Sequence, residues 1–202
     1  MMQAQLTASN LACRRGDRLL FRKVSFELGA GAALHVTGVN GIGKTTLIRS
    51  LSGLTTPFAG EIRRVGEVGL LDERPALDLD QPLGKALAFW QQVDRCVDPA
   101  VAQGELGLER LLEVPVRYLS TGQRKRASLA ILLTREVPIW LLDEPLSGLD
   151  AAAIEAVTQL IKDHVSAGGI ALIASHQQLD IDDLEALELG DYVPEQEEEE
   201  DK

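Results

Sequence analysis

The stretch Gly38-Val39-Asn40-Gly41-Ile42-Gly43-Lys44-Thr45-Thr46 fits the phosphate-binding pattern G-x-x-x-x-G-K-[ST]. Its flanks decide whether the match has a mechanism. Ala32 to Thr37, immediately before it, reads as a short buried strand, and Leu47, Ile48 and Leu51 after it recur at helical spacing. Strand, glycine turn and helix is the context the pattern needs. Glycines allow successive backbone N–H groups to curl around a polyphosphate where a Cβ would obstruct them. The following helix points its partly positive end at the same anion. Lys44 can then reach the β- and γ-phosphates, and the Thr45 hydroxyl can ligand Mg²⁺.

The rest of the chain is consistent with one α/β unit of ordinary size around that loop. Its 202 residues are enough for a sizeable core. No apolar run approaches the ~18 residues that span a bilayer. The opening Met-Met-Gln-Ala-Gln-Leu-Thr has neither the basic nor the apolar region of a secretory signal. Any work at a membrane is therefore expected to be done by docking on another chain. The formal net charge is −11, and Glu195 with Glu197 to Asp201 set six carboxylates against Lys202. Residues 195–202 read as a solvated, disordered acidic tail. An acidic balance also argues against non-specific nucleic-acid binding, which depends on basic surface. Cys13 and Cys96 stand far apart, outside any C-x-x-C spacing, and offer neither a disulfide framework nor a zinc site.

Along the chain, 5–11 and 19–28 read as strands, the second ending at Gly29-Ala30-Gly31. Glu61 to Arg64 and Glu67 to Leu71 read as two more. From about Leu77 the texture becomes helical, with Ala86, Leu87, Phe89 and Trp90 marking one helix. Leu106, Leu108, Leu111 and Leu112 predict another, and Pro82, Pro99 and Pro115 punctuate the segment. The α/β pattern then resumes: a helix over 122–135, a strand over 138–143, a helix over 151–166 and a strand over 170–175. Such alternation predicts a mostly parallel sheet covered by helices.

A second signal is Ile139-Trp140-Leu141-Leu142-Asp143-Glu144-Pro145. An apolar strand ending in two carboxylates places both at the edge where open α/β sheets bind ligands. Phosphoryl transfer uses one acid to hold magnesium and another to polarise the attacking water. Asp143 suits the first role and Glu144 the second.

A third is Leu119-Ser120-Thr121-Gly122-Gln123, followed by Arg124-Lys125-Arg126. With it the chain resembles the nucleotide-binding domain of an ABC transporter, whose signature is usually LSGGQ. The order also matches: phosphate loop, helical segment, signature, strand ending in Asp-Glu, Ser147-Gly148-Leu149-Asp150, then His176. Thr121 replaces the usual first glycine. The resemblance covers nearly the whole chain apart from the acidic tail. It implies an α/β P-loop NTPase fold of the ABC type: a mostly parallel sheet, an N-terminal antiparallel part and a small helical insertion at about 77–135, all within residues 1–194. It implies ATP and Mg²⁺ as ligands, and a homodimer that sandwiches two ATP molecules head to tail. Residues 38–46 would hold the phosphates of one nucleotide. Ser120, Gly122 and Gln123 would address the nucleotide of the other copy, Asp150 would bridge the two sites, and His176 would contact the γ-phosphate beside Glu144.

Two family features are blurred. No glutamine lies near Leu70 to Pro75, where one is expected on the metal, and Glu73 is the best substitute. The aromatic residue that stacks on adenine is replaced near Arg14-Arg15, and a guanidinium can stack on a base.

Within the family, Leu11 to Phe21, Leu119 to Ala130 and Ala174 to Gln177 are most similar to the ATP-binding subunits of cytochrome c maturation systems. That likeness implies integral membrane subunits of the CcmB and CcmC type at the cytoplasmic face of a bacterial inner membrane, and a role in haem export or delivery. Neither C-x-x-C-H nor a Cys-Pro pair is present, so the chain itself is expected not to bind haem. Two other readings stay open: the ATPase subunit of a lipid or drug exporter, and a non-transport ABC ATPase acting on ribosomes or DNA.

Overall fold

The computed structural model describes residues 3–72, 76–94 and 103–194. Strands β1 (Gln5–Arg15) and β2 (Arg18–Gly29) pair antiparallel across a turn at Gly16 and Asp17. Strand β4 (Ala59–Val65) lies on the other side of β1, giving a three-stranded sheet ordered β2-β1-β4. The other five strands form a parallel sheet: β3 (Ala33–Thr37), β5 (Val68–Leu71), β6 (Ile139–Asp143), β7 (Ile170–Ala174) and β8 (Glu185–Glu188). Their spatial order is β5-β6-β7-β3-β8.

Strands β6 and β7 are buried at every residue, as continuous apolar runs covered on both faces should be. Alternation along them feeds two cores. Ile139, Leu141, Ile170 and Leu172 join Leu34, Val36, Leu47, Leu51 and the antiparallel strands. Trp140, Leu142, Ala171 and Ile173 face the opposite way, toward helices α2 (Leu83–Asp94), α3 (Thr121–Thr134) and α4 (Ala151–Ser166). Helix α1 (Lys44–Ser52) buries Leu47, Ile48 and Leu51, the positions its spacing predicts, and ends at Gly53 in the left-handed conformation.

Two features differ from the sequence reading. Leu106 and Leu108 are buried, but the segment forms no helix through 106–112. Residues 103–105 are helical, Gly107 takes φ +61°, and only a 3₁₀ turn, Glu109–Leu111, follows. The two strands expected at 61–64 and 67–71 are present as β4 and β5; they belong to different sheets, with Gly66 at φ +112° between them. Strand β8 was not anticipated. Glu73, Cys96 and the acidic tail lie outside the described residues.

Strands β6, β7 and β3 are parallel neighbours, so their C-terminal ends lie side by side. Those ends deliver Asp143-Glu144, Ser175-His176 and Thr37-Gly38 to one edge.

Candidate nucleotide site

At that edge a cleft of about 320 Å³ is lined by Asn40, Gly41, Gly43, Lys44, Thr45 and Thr46 from the loop and α1. Asp143, Glu144, Ser147, His176 and Arg15 complete its walls. Gly38, Val39 and Ile42 of the loop do not line it; Val39 is exposed and Ile42 packs beneath Gly38. Two glycines are required by geometry. Gly43 has φ +125° and a Cβ there would lie 3.1 Å from the buried Phe21 ring. Gly38 has φ +137° and would meet Ile42 and Glu188 at the same distance.

Lys44 is buried to 7% exposure. Its Nζ donates to the Gly38 carbonyl at 2.7 Å, which folds the side chain back across the loop. The same ammonium stands 4.0 Å from Glu144 Oε1. His176 Nδ1 is 3.0 Å from Glu144 Oε2, so lysine, glutamate and histidine form one connected group. Glu144 adopts φ +48°, uncommon for a residue with a side chain, and its N–H donates to Ala174 O at 2.8 Å. Its carbonyl accepts from Lys125 Nζ at 2.7 Å.

The oxygen donors suit a hard divalent cation. The Thr45 hydroxyl and the Asp143 carboxylate, 1% exposed, face the same cleft. Magnesium is commonly held by one or two protein oxygens together with substrate phosphates. Such a site needs no acidic cage, and among the described residues no group of three or more His, Cys, Asp or Glu could form one.

Ser120, Gly122, Gln123 and Asp150 do not line this cleft. Ser120 caps α3 in a capping box: its Oγ accepts from the Gln123 N–H at 3.2 Å, and Gln123 Oε1 accepts from the Ser120 N–H at 2.8 Å. The Gln123 side chain is thus turned back onto its own helix. Gly122 packs so closely on Gly148 that a Cβ would lie 2.5 Å from the Gly148 carbonyl oxygen. Asp150 caps α4 through the Ala153 N–H at 2.9 Å.

Two cleft residues were not singled out individually in the sequence. Ser147 returns to the cleft because its N–H closes a tight turn on the Glu144 carbonyl at 3.2 Å. Of the Arg14-Arg15 pair, Arg15 lines the cleft while Arg14 lies 5.0 Å over the Phe58 ring.

The sequence and the fold both have counterparts among known proteins. The ABC transporter family model matches residues 21–147. The chain is 50% identical over 194 residues to the cytochrome c biogenesis ATP-binding export protein CcmA of Novosphingobium aromaticivorans, covering 96% of this chain and 100% of that one. It is 48% identical over 191 residues to the protein of the same name from Zymomonas mobilis, covering 94% and 86%. Among solved structures, an ABC transporter ATP-binding protein from Pyrococcus furiosus shares the fold at a TM-score of 0.80, with 24% identity over 94% of this chain and all of that one. A metal-chelate type ABC transporter in an inward-facing conformation gives a TM-score of 0.73 and 26% identity, over 87% of this chain and 74% of that one. The chain belongs to the ABC transporter family, among its cytochrome c biogenesis ATP-binding export proteins.

Proposed function

We propose that this chain is the ATP-hydrolysing subunit of a bacterial inner-membrane complex that exports or delivers haem for c-type cytochrome assembly. The observation that carries the enzymatic part is the group formed by Lys44, Glu144 and His176 in one cleft at the end of three parallel strands.

The loop from Gly38 to Thr46 cradles the phosphates, and Lys44 exchanges its bond to the Gly38 carbonyl for the β- and γ-phosphate oxygens. Thr45 and Asp143 would hold magnesium, with Glu73 as a further candidate. Bound magnesium supplies positive charge to the phosphate oxygens as negative charge shifts during cleavage. Glu144 takes the proton from the attacking water, and His176, hydrogen-bonded to it, fixes the carboxylate and meets the γ-phosphate. Arg15 faces the base.

Ser120 and Gly122 stand apart from their own cleft, which supports a second copy as the source of that half of each site. Two copies would close head to tail on two ATP molecules, each offering the capped N-terminus of α3 to the other's γ-phosphate. No described helix is long and apolar enough to cross a membrane, so the closing motion would act on separate integral membrane subunits of the CcmB and CcmC type at the cytoplasmic face.

The test is deletion of the gene followed by assay of c-type cytochromes, with purification of the tagged chain from membranes. Loss of c-type cytochromes and recovery of those membrane subunits are expected. Intact c-type cytochromes, with a lipid or drug exporter recovered instead, would overturn the haem assignment and leave the ATPase assignment standing.

A further inference from the structure

One buried titratable group has no part in the mechanism above. His35 lies inside β3, 9% exposed, on the face opposite Leu34 and Val36 and paired in register with Ile173. Burial pushes its pKa below the usual histidine value. A neutral ring has one N–H to place, and Nε2 lies 3.1 Å from the carbonyl oxygen of Ser175. Glu144 and Lys44 are the charged groups whose fields reach this ring, with opposite effects.

Ser175 is fully buried and tied at every polar group. Its N–H donates to Val36 O at 3.3 Å, and its Oγ accepts from the Gln177 N–H at 3.0 Å. Its carbonyl accepts a hydrogen bond from His35 Nε2 at 3.1 Å. That carbonyl belongs to the planar peptide joining Ser175 to His176, so fixing the oxygen fixes the direction in which His176 leaves β7. His176 is 57% exposed, and its Nδ1 meets Glu144 Oε2 at 3.0 Å. The peptide behind it and the Glu144 contact ahead of it together set its aim.

We infer that His35 is a positioning residue for ATP hydrolysis: by holding the Ser175 carbonyl it orients the Ser175–His176 peptide so that His176 reaches Glu144. The role rests on the hydrolytic reading above. It also links the strand that enters the phosphate loop to the segment that carries the histidine.

Three substitutions separate this role from simple packing. His35→Gln keeps an N–H donor at comparable reach, His35→Asn brings the donor up short, and His35→Leu removes it. Steady-state ATPase of the assembled complex should show His35→Gln within about 3-fold of the parent. The Asn and Leu variants should lose on the order of 10- to 100-fold in kcat with little change in KM for ATP. In a His176→Ala background, His35→Leu should lower kcat by less than about 2-fold, because the interaction it serves is already gone. If the Leu variant does not fold, the Gln and Asn variants decide the matter. Equal losses in those two, or losses that multiply with His176→Ala, would overturn the assignment. A parent complex indifferent to Glu144→Gln would instead overturn the hydrolytic reading, and this role with it.

Discussion

Lys125 donates to the backbone carbonyl of Glu144 at 2.7 Å, bolting the helix that Ser120 caps to the residue that follows β6. Glu144 sits at φ +48°, a conformation that costs roughly 1–2 kcal/mol for a residue with a Cβ. It is held there from both sides, by Lys125 at its carbonyl and by the Ala174 carbonyl at its N–H. In the proposed dimer, α3 serves the other copy's nucleotide while Glu144 serves its own. The lysine therefore joins the two half-sites within a single chain.

Lys125→Met should leave the carbonyl with the Ser147 N–H alone, at 3.2 Å, and loosen the hold on the carboxylate. A charge-assisted hydrogen bond contributes about 1.5–3 kcal/mol, so kcat should fall by on the order of tenfold or more. KM for ATP should change little, since Lys125 does not line the cleft. Steady-state ATPase measures both, and an unchanged kcat would show that the contact is dispensable.

Glu144 and Lys44 stand 4.0 Å apart, yet their losses should look different. Glu144→Gln keeps the shape and the hydrogen bond to His176 but removes the base. It should slow hydrolysis by about 10²–10⁴ while ATP still binds and the dimer stays closed. Lys44→Ala should instead weaken nucleotide binding itself. Equilibrium binding of ATP beside single-turnover hydrolysis separates the two, and hydrolysis by Glu144→Gln at the parental rate would remove it as the base.

Most of the cleft was legible in the sequence because its parts sit at the ends of strongly patterned elements. The apolar runs that became β6 and β7 have strand length, and the chemistry follows directly at Asp143-Glu144 and at His176. Strand β8 was hidden by its acidity: Asp180, Asp182 and Asp183 precede it, Glu185 and Glu188 are its ends, and only Leu187 within the strand is buried. The turn at Gly107 ended a helix that leucine spacing alone predicted. Ser147 and Arg15 reach the cleft through a tight turn and a strand end, placements that no local pattern encodes. His35 is subtler still, for a lone histidine in an apolar strand shows neither its partner nor its tautomer.

The Gly122–Gly148 contact ties the N-terminus of α3 to the loop after β6, and it leaves no room for a side chain. A Cβ at Gly122 would lie 2.5 Å from a backbone oxygen, which cannot rotate aside. Gly122→Ala should therefore move the Ser120 cap relative to Glu144, at a cost of about 1–3 kcal/mol in stability. Thermal unfolding should show the loss, and ATP-induced dimerisation should weaken beyond what the fall in stability accounts for. Dimerisation equal to the parent's would separate the contact from the shared site.

His164 lies stacked on Trp140, with ring centroids 3.8 Å apart and planes 6° from parallel. Burial pushes its pKa down, as it does for His35. Above the unfolded value of about 6.5 both states are neutral and these groups add no pH dependence. As pH falls below that value, the unfolded chain takes up a proton that the folded chain refuses until pH passes the lower folded value. Stability is therefore lost across that window. The melting temperature of the parent should drop as pH is lowered from about 6.5 to about 5. His164→Phe keeps an aromatic ring against Trp140 without the titration, so its melting temperature should fall less over the same range. Coincident slopes for parent and variant would show that the stacked imidazole protonates as readily in the folded chain as in the unfolded one.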